Sequence, residues 1–122
     1  MQQKQNQAIT GPKFTDTNQH GAINELYVAQ EAMKKGARVF RNLAPSGDTD
    51  LIFEKDGNLL RVDVKHMKLH HTGTWQSNHT HKAPENVYYC FINPETLAIR
   101  WQIYGNSGPG GIWADFWNET TN

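Results

Sequence analysis

Two short apolar runs set the tightest limit on how this chain can fold. Asp50-Leu51-Ile52-Phe53-Glu54 and Leu59-Leu60-Arg61-Val62-Asp63-Val64-Lys65 flank the tetrapeptide Lys55-Asp56-Gly57-Asn58. Strand-forming residues on either side of a Gly-containing turn predict a β-hairpin. Alternation along the second strand sends Leu60, Val62 and Val64 to one face and Arg61, Asp63 and Lys65 to the other. Asp63 and Lys65 therefore project together, about 7 Å apart along the strand. Asp50 opens the partner strand, where it can approach Asp63 across the pair. Two ionised carboxylates in such a place repel unless one is protonated or a cation lies between them.

The rest of the chain is arranged around this hairpin. Residues 1–15 read as a polar tail and 16–104 as the folded core. Residues 105–122 read as a Gly-rich linker followed by an aromatic C-terminal segment. Within the core, 16–35 has helical spacing, with N-cap residues at its start and Gly36 as a stop. Ala22, Ile23, Leu26, Ala29, Ala32 and Met33 supply its expected apolar face. Strands are expected at 37–41, 50–54, 59–65, 87–93 and 97–104. The stretch 66–86 reads mainly as a polar loop, long enough to suggest a functional role. The expected class is α/β, a central mixed sheet flanked by helices.

Length and charge bound the function. At 122 residues this is one modest domain. Its 12 basic and 12 acidic residues cancel. A nucleic-acid surface would have to be a local patch, or rely on metal to offset phosphate repulsion. Cys90 is the sole cysteine and sits in Val87-Tyr88-Tyr89-Cys90-Phe91-Ile92, which marks it as a core residue and excludes an intrachain disulfide. No segment has the pattern of a signal peptide or a membrane span, so an intracellular (cytoplasmic) protein is expected.

The carboxylates and the lysine define a chemistry. Oxygen donors suit Mg2+, with Mn2+ able to substitute, rather than Zn2+. Mg2+ held by one or two carboxylates keeps sites for water and for substrate phosphate, the inventory that phosphodiester hydrolysis needs. Lys65 beside it can orient the attacking water and stabilise charge building on phosphorus. Glu25, flanked at helical spacing by Ala22, Val28, Ala29 and Ala32, lies on or beside the apolar stripe. The alanines would let the helix approach the sheet and present Glu25 to the metal or to one of its waters.

Glutamate on a first helix (Asn24-Glu25), an aspartate at a strand opening (Thr49-Asp50) and Asp63-Val64-Lys65 on the next strand resemble the PD-(D/E)XK nuclease superfamily. The resemblance covers roughly residues 18–104. It implies a restriction endonuclease-like core, α-β-β-β-α-β, and a metal-dependent DNA endonuclease. Asp50, Asp63 and Glu25 would serve the metal, and Lys65 would complete the catalytic set. The proline that usually precedes the first aspartate is absent. The stretch 41–52, with Arg41 and with Ser46-Gly47 shortly before Asp50, is similar to small Holliday-junction resolvases. The pattern is also similar to small homing endonucleases, some of which carry glutamine where this chain keeps Asp63. Asp48 is a rival for the role of Asp50. One site per chain implies a homodimer or higher homo-oligomer for cutting both strands.

Other residues carry further expectations. Lys68, His70, His71, His79, His81 and Lys82 are candidates for phosphate contact, and Arg41 and Ser46 are further candidates for nucleic-acid binding. Trp75 is a candidate for base stacking or wedging, or for covering the core. Trp101, Trp113 and Trp117 are expected in the core or at an interface. Two other functions fit the same residues: a non-catalytic nucleic-acid-binding module on this fold, and a zinc-binding domain using His66 and His70 at i, i+4 spacing on a helix.

Overall fold

The computed structural model describes residues 17–44, 47–77, 84–102 and 108–118. The 1–15 tail lies outside them. Helix α1 (Thr17–Lys34) leads into β1 (Arg38–Arg41), β2 (Leu51–Lys55) and β3 (Asn58–His66). A small ribbon follows, β4 (Lys68–Leu69) with β5 (Trp75–Gln76). Then come β6 (Val87–Ile92), β7 (Ile99–Trp101) and a 3-10 turn at Gly111–Trp113. Five strands form one mixed sheet in the order β1-β2-β3-β6-β7, in which only β3 and β6 run parallel. The fold is α/β. The crossover from β3 to β6, where the expected core has its second helix, carries the β4–β5 ribbon, and no second α-helix occurs among the described residues.

The hairpin forms as its turn chemistry dictates. Asp56 and Gly57 both adopt positive φ, 53° and 80°. This two-residue turn matches the twist of the flanking strands. It fixes the register Lys55↔Asn58, Phe53↔Leu60 and Leu51↔Val62. Helix α1 ends in a comparably determined way. Gly36 takes φ 95°, its N–H donates to the Met33 carbonyl, and the Ala37 N–H donates to the Ala32 carbonyl, satisfying the last-turn acceptors. The Lys55 ammonium bonds the Lys35 carbonyl at 3.0 Å and places its charge at the negative end of the helix.

The core corrects the expected helix face. Val28 and Ala32 are fully buried against the sheet, with Ala29 packed beside them. Ile23, Leu26 and Met33 are about half exposed, at 49%, 55% and 55%. The apolar residues of α1 are split between two faces. The small-residue stripe packs inward because Ala29 and Ala32 let the helix backbone lie close to the strands. The same face of the sheet contributes Leu51, Phe53, Leu60, Val62 and Cys90.

The C-terminal aromatic segment belongs to this core and is not an appendage to it. Trp101, Trp113, Phe116 and Trp117 ring Phe53, with centroid separations from it of 5.7–6.3 Å. The Trp101 indole N–H donates to the Trp113 carbonyl at 2.7 Å. Cys90 is buried as expected, and burial pushes its thiol pKa well up. A second, smaller cluster of Met67, Tyr89 and Phe91, with Trp75 against it, covers the opposite face.

Candidate active site

Strand β3 outruns β2. Their pairing ends at Leu51↔Val62, while β3 continues beside β6 through Asp63↔Tyr89, Lys65↔Phe91 and His66↔Ile92. The β2 side of β3 is thus left open from Asp63 onward. Asp50 fills the first gap. Its N–H donates to the Val62 carbonyl at 2.9 Å, and its carboxylate accepts the Val64 N–H at 2.8 Å. That bond satisfies a strand donor the ladder has abandoned and fixes the carboxylate beside Asp63. The two carboxyl groups lie within hydrogen-bonding contact. Asp48, the rival, is exposed.

Asp63 and Lys65 project from the face opposite α1, as alternation requires. The Lys65 ammonium stands 3.5 Å from the Asp63 carboxylate. It also lies 5.3 Å from the centre of the Tyr89 ring, a distance at which an aromatic face attracts a cation. Tyr89 was not legible as part of this site, because its adjacency depends on the parallel pairing of β3 with β6. Burial raises its phenol pKa.

Electrostatics separate the four acidic and basic residues. Burial, more than any other influence, raises the pKa of Asp63 to about 7. Lys65 opposes that shift, and the Asp50 carboxylate reinforces it. Burial likewise raises Glu25, with Asp50 adding to the shift and Arg41 opposing it. Glu25 is thus within electrostatic reach of both Asp50 and Arg41. Among the described residues no three His, Cys, Asp or Glu side chains gather closely enough to hold a metal ion.

The proton on Asp63 makes a stability prediction. An unfolded aspartate titrates near 3.8, whereas folded Asp63 titrates near 7. Between those values the folded chain binds the extra proton, so metal-free stability falls as pH rises from about 4 to about 7 and stays reduced above. Asp63→Asn removes that penalty. In EDTA at pH 8 it should raise stability by on the order of 2 kcal/mol, with the gain gone at pH 4. Thermal melts at both pH values decide the matter, and an Asn variant no more stable than wild type at pH 8 would contradict the carboxylate strain.

The remaining sequence candidates are scattered. Arg41 is exposed, and its charge opposes the upward shift of Glu25. Lys68 and His71 are exposed on the ribbon. His70 has its Nδ1 engaged with Thr72, accepting from its backbone N–H at 3.2 Å and meeting its hydroxyl at 2.8 Å. Trp75 is half-buried, packs against the Met67–Tyr89–Phe91 cluster and donates to Glu95 at 3.2 Å. It covers the core and does not stand out as a wedge. His66 ends β3 and His70 follows β4, so the helical spacing a zinc pair would need is absent. Ser46, His79, His81 and Lys82 lie outside the described residues.

The fold has a solved counterpart. The structure of a bacterial homing endonuclease, I-Ssp6803I, matches with a TM-score of 0.57. The two chains share that fold. They are 22% identical, over 70% of this chain and 68% of that one. No protein-family model and no curated protein matches the sequence. Among the described residues no helix is long and apolar enough to cross a membrane.

The donor set fits a hard divalent cation. Two carboxyl groups in contact, one driven toward protonation by burial and further by the charge of the other, form a pair that a cation would relieve by replacing the proton. Mg2+ characteristically takes one or two carboxylates and retains waters. Two aspartates match that requirement.

Proposed function

We propose that this protein is a metal-dependent DNA endonuclease that hydrolyses phosphodiester bonds. The observation that carries the reading is the Asp50–Asp63 carboxyl pair with the Lys65 ammonium 3.5 Å from it, set on the open end of β3 in a fold shared with an endonuclease. Asp50 and Asp63 would hold Mg2+, or Mn2+ in its place. When bound, the ion would polarise the phosphoryl oxygen and lower the pKa of a coordinated water. Lys65 orients the attacking water and offsets charge on the phosphate as it becomes more negative. The Tyr89 ring and the Asp63 carboxylate hold that ammonium from two sides. Glu25 orients water on the Asp50 side. One chain supplies one such site, so cutting both strands of a duplex calls for a homodimer or higher homo-oligomer.

Plasmid, linear duplex, single-stranded DNA and a four-way junction, each incubated with Mg2+, Mn2+ or EDTA, test the reading. Cleavage in either metal and none in EDTA is expected. The preferred substrate separates a homing-type enzyme from a junction resolvase. Failure to cut any of them, or a random-sequence duplex library, would overturn it in favour of a binding module.

A further inference from the structure

The β4–β5 ribbon grows directly out of the catalytic strand. One residue, Met67, separates β3 from β4. It is buried, and its N–H donates to the Ile92 carbonyl at 2.8 Å. The register Lys68↔Gln76 and Leu69↔Trp75 sorts the ribbon into two faces. The Trp75 face is fastened to the protein through Met67, Tyr89 and Phe91 and through the indole bond to Glu95. Glu95 is itself set by the buried Asn93 side chain, which accepts the Glu95 and Thr96 N–H groups at 2.8 and 3.2 Å. The other face presents Lys68 and Gln76 side by side, both exposed.

The tip is held by its own bonds. His70 N–H donates to the Thr74 carbonyl at 2.7 Å, Gly73 N–H to the His70 carbonyl at 2.8 Å, and the Thr72 and Thr74 hydroxyls meet at 3.1 Å. Little conformational freedom is left to lose on binding.

Charge points to a polyanion. The stretch from Val64 to Pro84 holds three lysines, five of the six histidines and no Asp or Glu, where the chain average would place about two acids. In a chain of zero net charge, an acid-free basic run of this kind is the sequence feature that a nucleic-acid reading requires. Shape then narrows the partner. The major groove of B-form DNA admits a two-stranded β-ribbon, and a paired lysine and glutamine match the acceptors of guanine and the donor–acceptor edge of adenine.

We propose that the β4–β5 ribbon is a sequence-reading arm that enters the major groove of duplex DNA and sets Lys68 and Gln76 against base edges. This rests on the endonuclease reading and deepens it. Trp75 and Glu95 position the arm and touch no base. Lys68 lies five positions after Asp63, a backbone reach of at most about 17 Å at strand spacing. The base pairs read by the ribbon therefore lie within about five base pairs of the bond cut.

Selection from a random duplex library, bound in Ca2+ by the full chain and then mapped for cut position in Mg2+, tests this. Wild-type protein should enrich a motif. Lys68→Ala and Gln76→Ala should each flatten the preference at one or two adjacent base pairs, by roughly 5- to 150-fold, within about five base pairs of the cut. Both side chains are exposed, so the variants keep the fold. Unchanged motifs in both variants, or flattened positions farther from the cut, would overturn the proposal. So would a wild-type protein that enriches no duplex sequence. Metal-dependent cutting of single strands or junctions by that same protein would leave the endonuclease reading standing, which separates the two failures.

Discussion

Lys65→Ala is expected to lower metal-dependent cleavage by at least ~100-fold and to leave the melting temperature within a few degrees of wild type. The Lys65 side chain is one-third exposed, so little buried surface is lost with it. An ammonium aimed at developing charge on a phosphoryl group is worth about 100- to 1,000-fold in rate. Lys65 also opposes the upward shift of Asp63. Its removal should raise the Asp63 pKa further and weaken the hold on any cation there. Lys65→Arg keeps the charge, but its planar fork does not fit a site built for a compact ammonium, so only partial recovery is expected. Single-turnover cleavage rates at saturating metal are the measurement. A Lys65→Ala protein that still cuts within tenfold of wild type would remove Lys65 from the mechanism and leave the carboxyl pair as a bare metal site.

The residues of this site were legible in the sequence for a specific reason. Asp56-Gly57 fixes a two-residue turn, and a two-residue turn fixes register. Register places Asp50 opposite Asp63, and alternation places Lys65 on the Asp63 face. Each step is local, so each survives without knowledge of the rest of the fold. The parts that were not legible depend on longer-range pairing. Tyr89 reaches Lys65 only because β3 and β6 run parallel. Gln76 carried no signal because a two-residue strand is too short to show alternation. The buried face of α1 misled for a different reason. Its larger apolar residues, Ile23, Leu26 and Met33, lie on the exposed side, and the helix docks by its smaller ones. Size ranked the faces wrongly because close approach to the sheet, rather than side-chain area, decides how this helix packs.

The second large effect is expected from a residue outside the site. Phe53→Ala should destabilise the protein by about 3–5 kcal/mol, enough to lower the melting temperature by on the order of 10 °C or more. Phe53 is fully buried at the centre of β2, and four aromatic rings from β7 and the C-terminal segment close around it. Truncation leaves a cavity that these rings cannot fill without surrendering their own contacts. One of them, Trp101, is tied to the Trp113 carbonyl. Another, Phe116, lies 5.9 Å from the Lys55 ammonium that caps α1. The loss should therefore spread from the sheet to the aromatic segment and to the end of the helix. Phe53→Leu retains most of the volume and should cost about 1–2 kcal/mol. Urea unfolding followed by tryptophan fluorescence reads this directly, since three of the four tryptophans, Trp101, Trp113 and Trp117, sit in this cluster. If Phe53→Ala unfolds with the midpoint of wild type, residues 108–118 do not form part of the core. Asp50 lies three residues before Phe53, immediately ahead of β2, so loss of this packing should also loosen the carboxyl pair. Cleavage by Phe53→Ala, measured where the variant is still folded, should fall more than cleavage by Phe53→Leu.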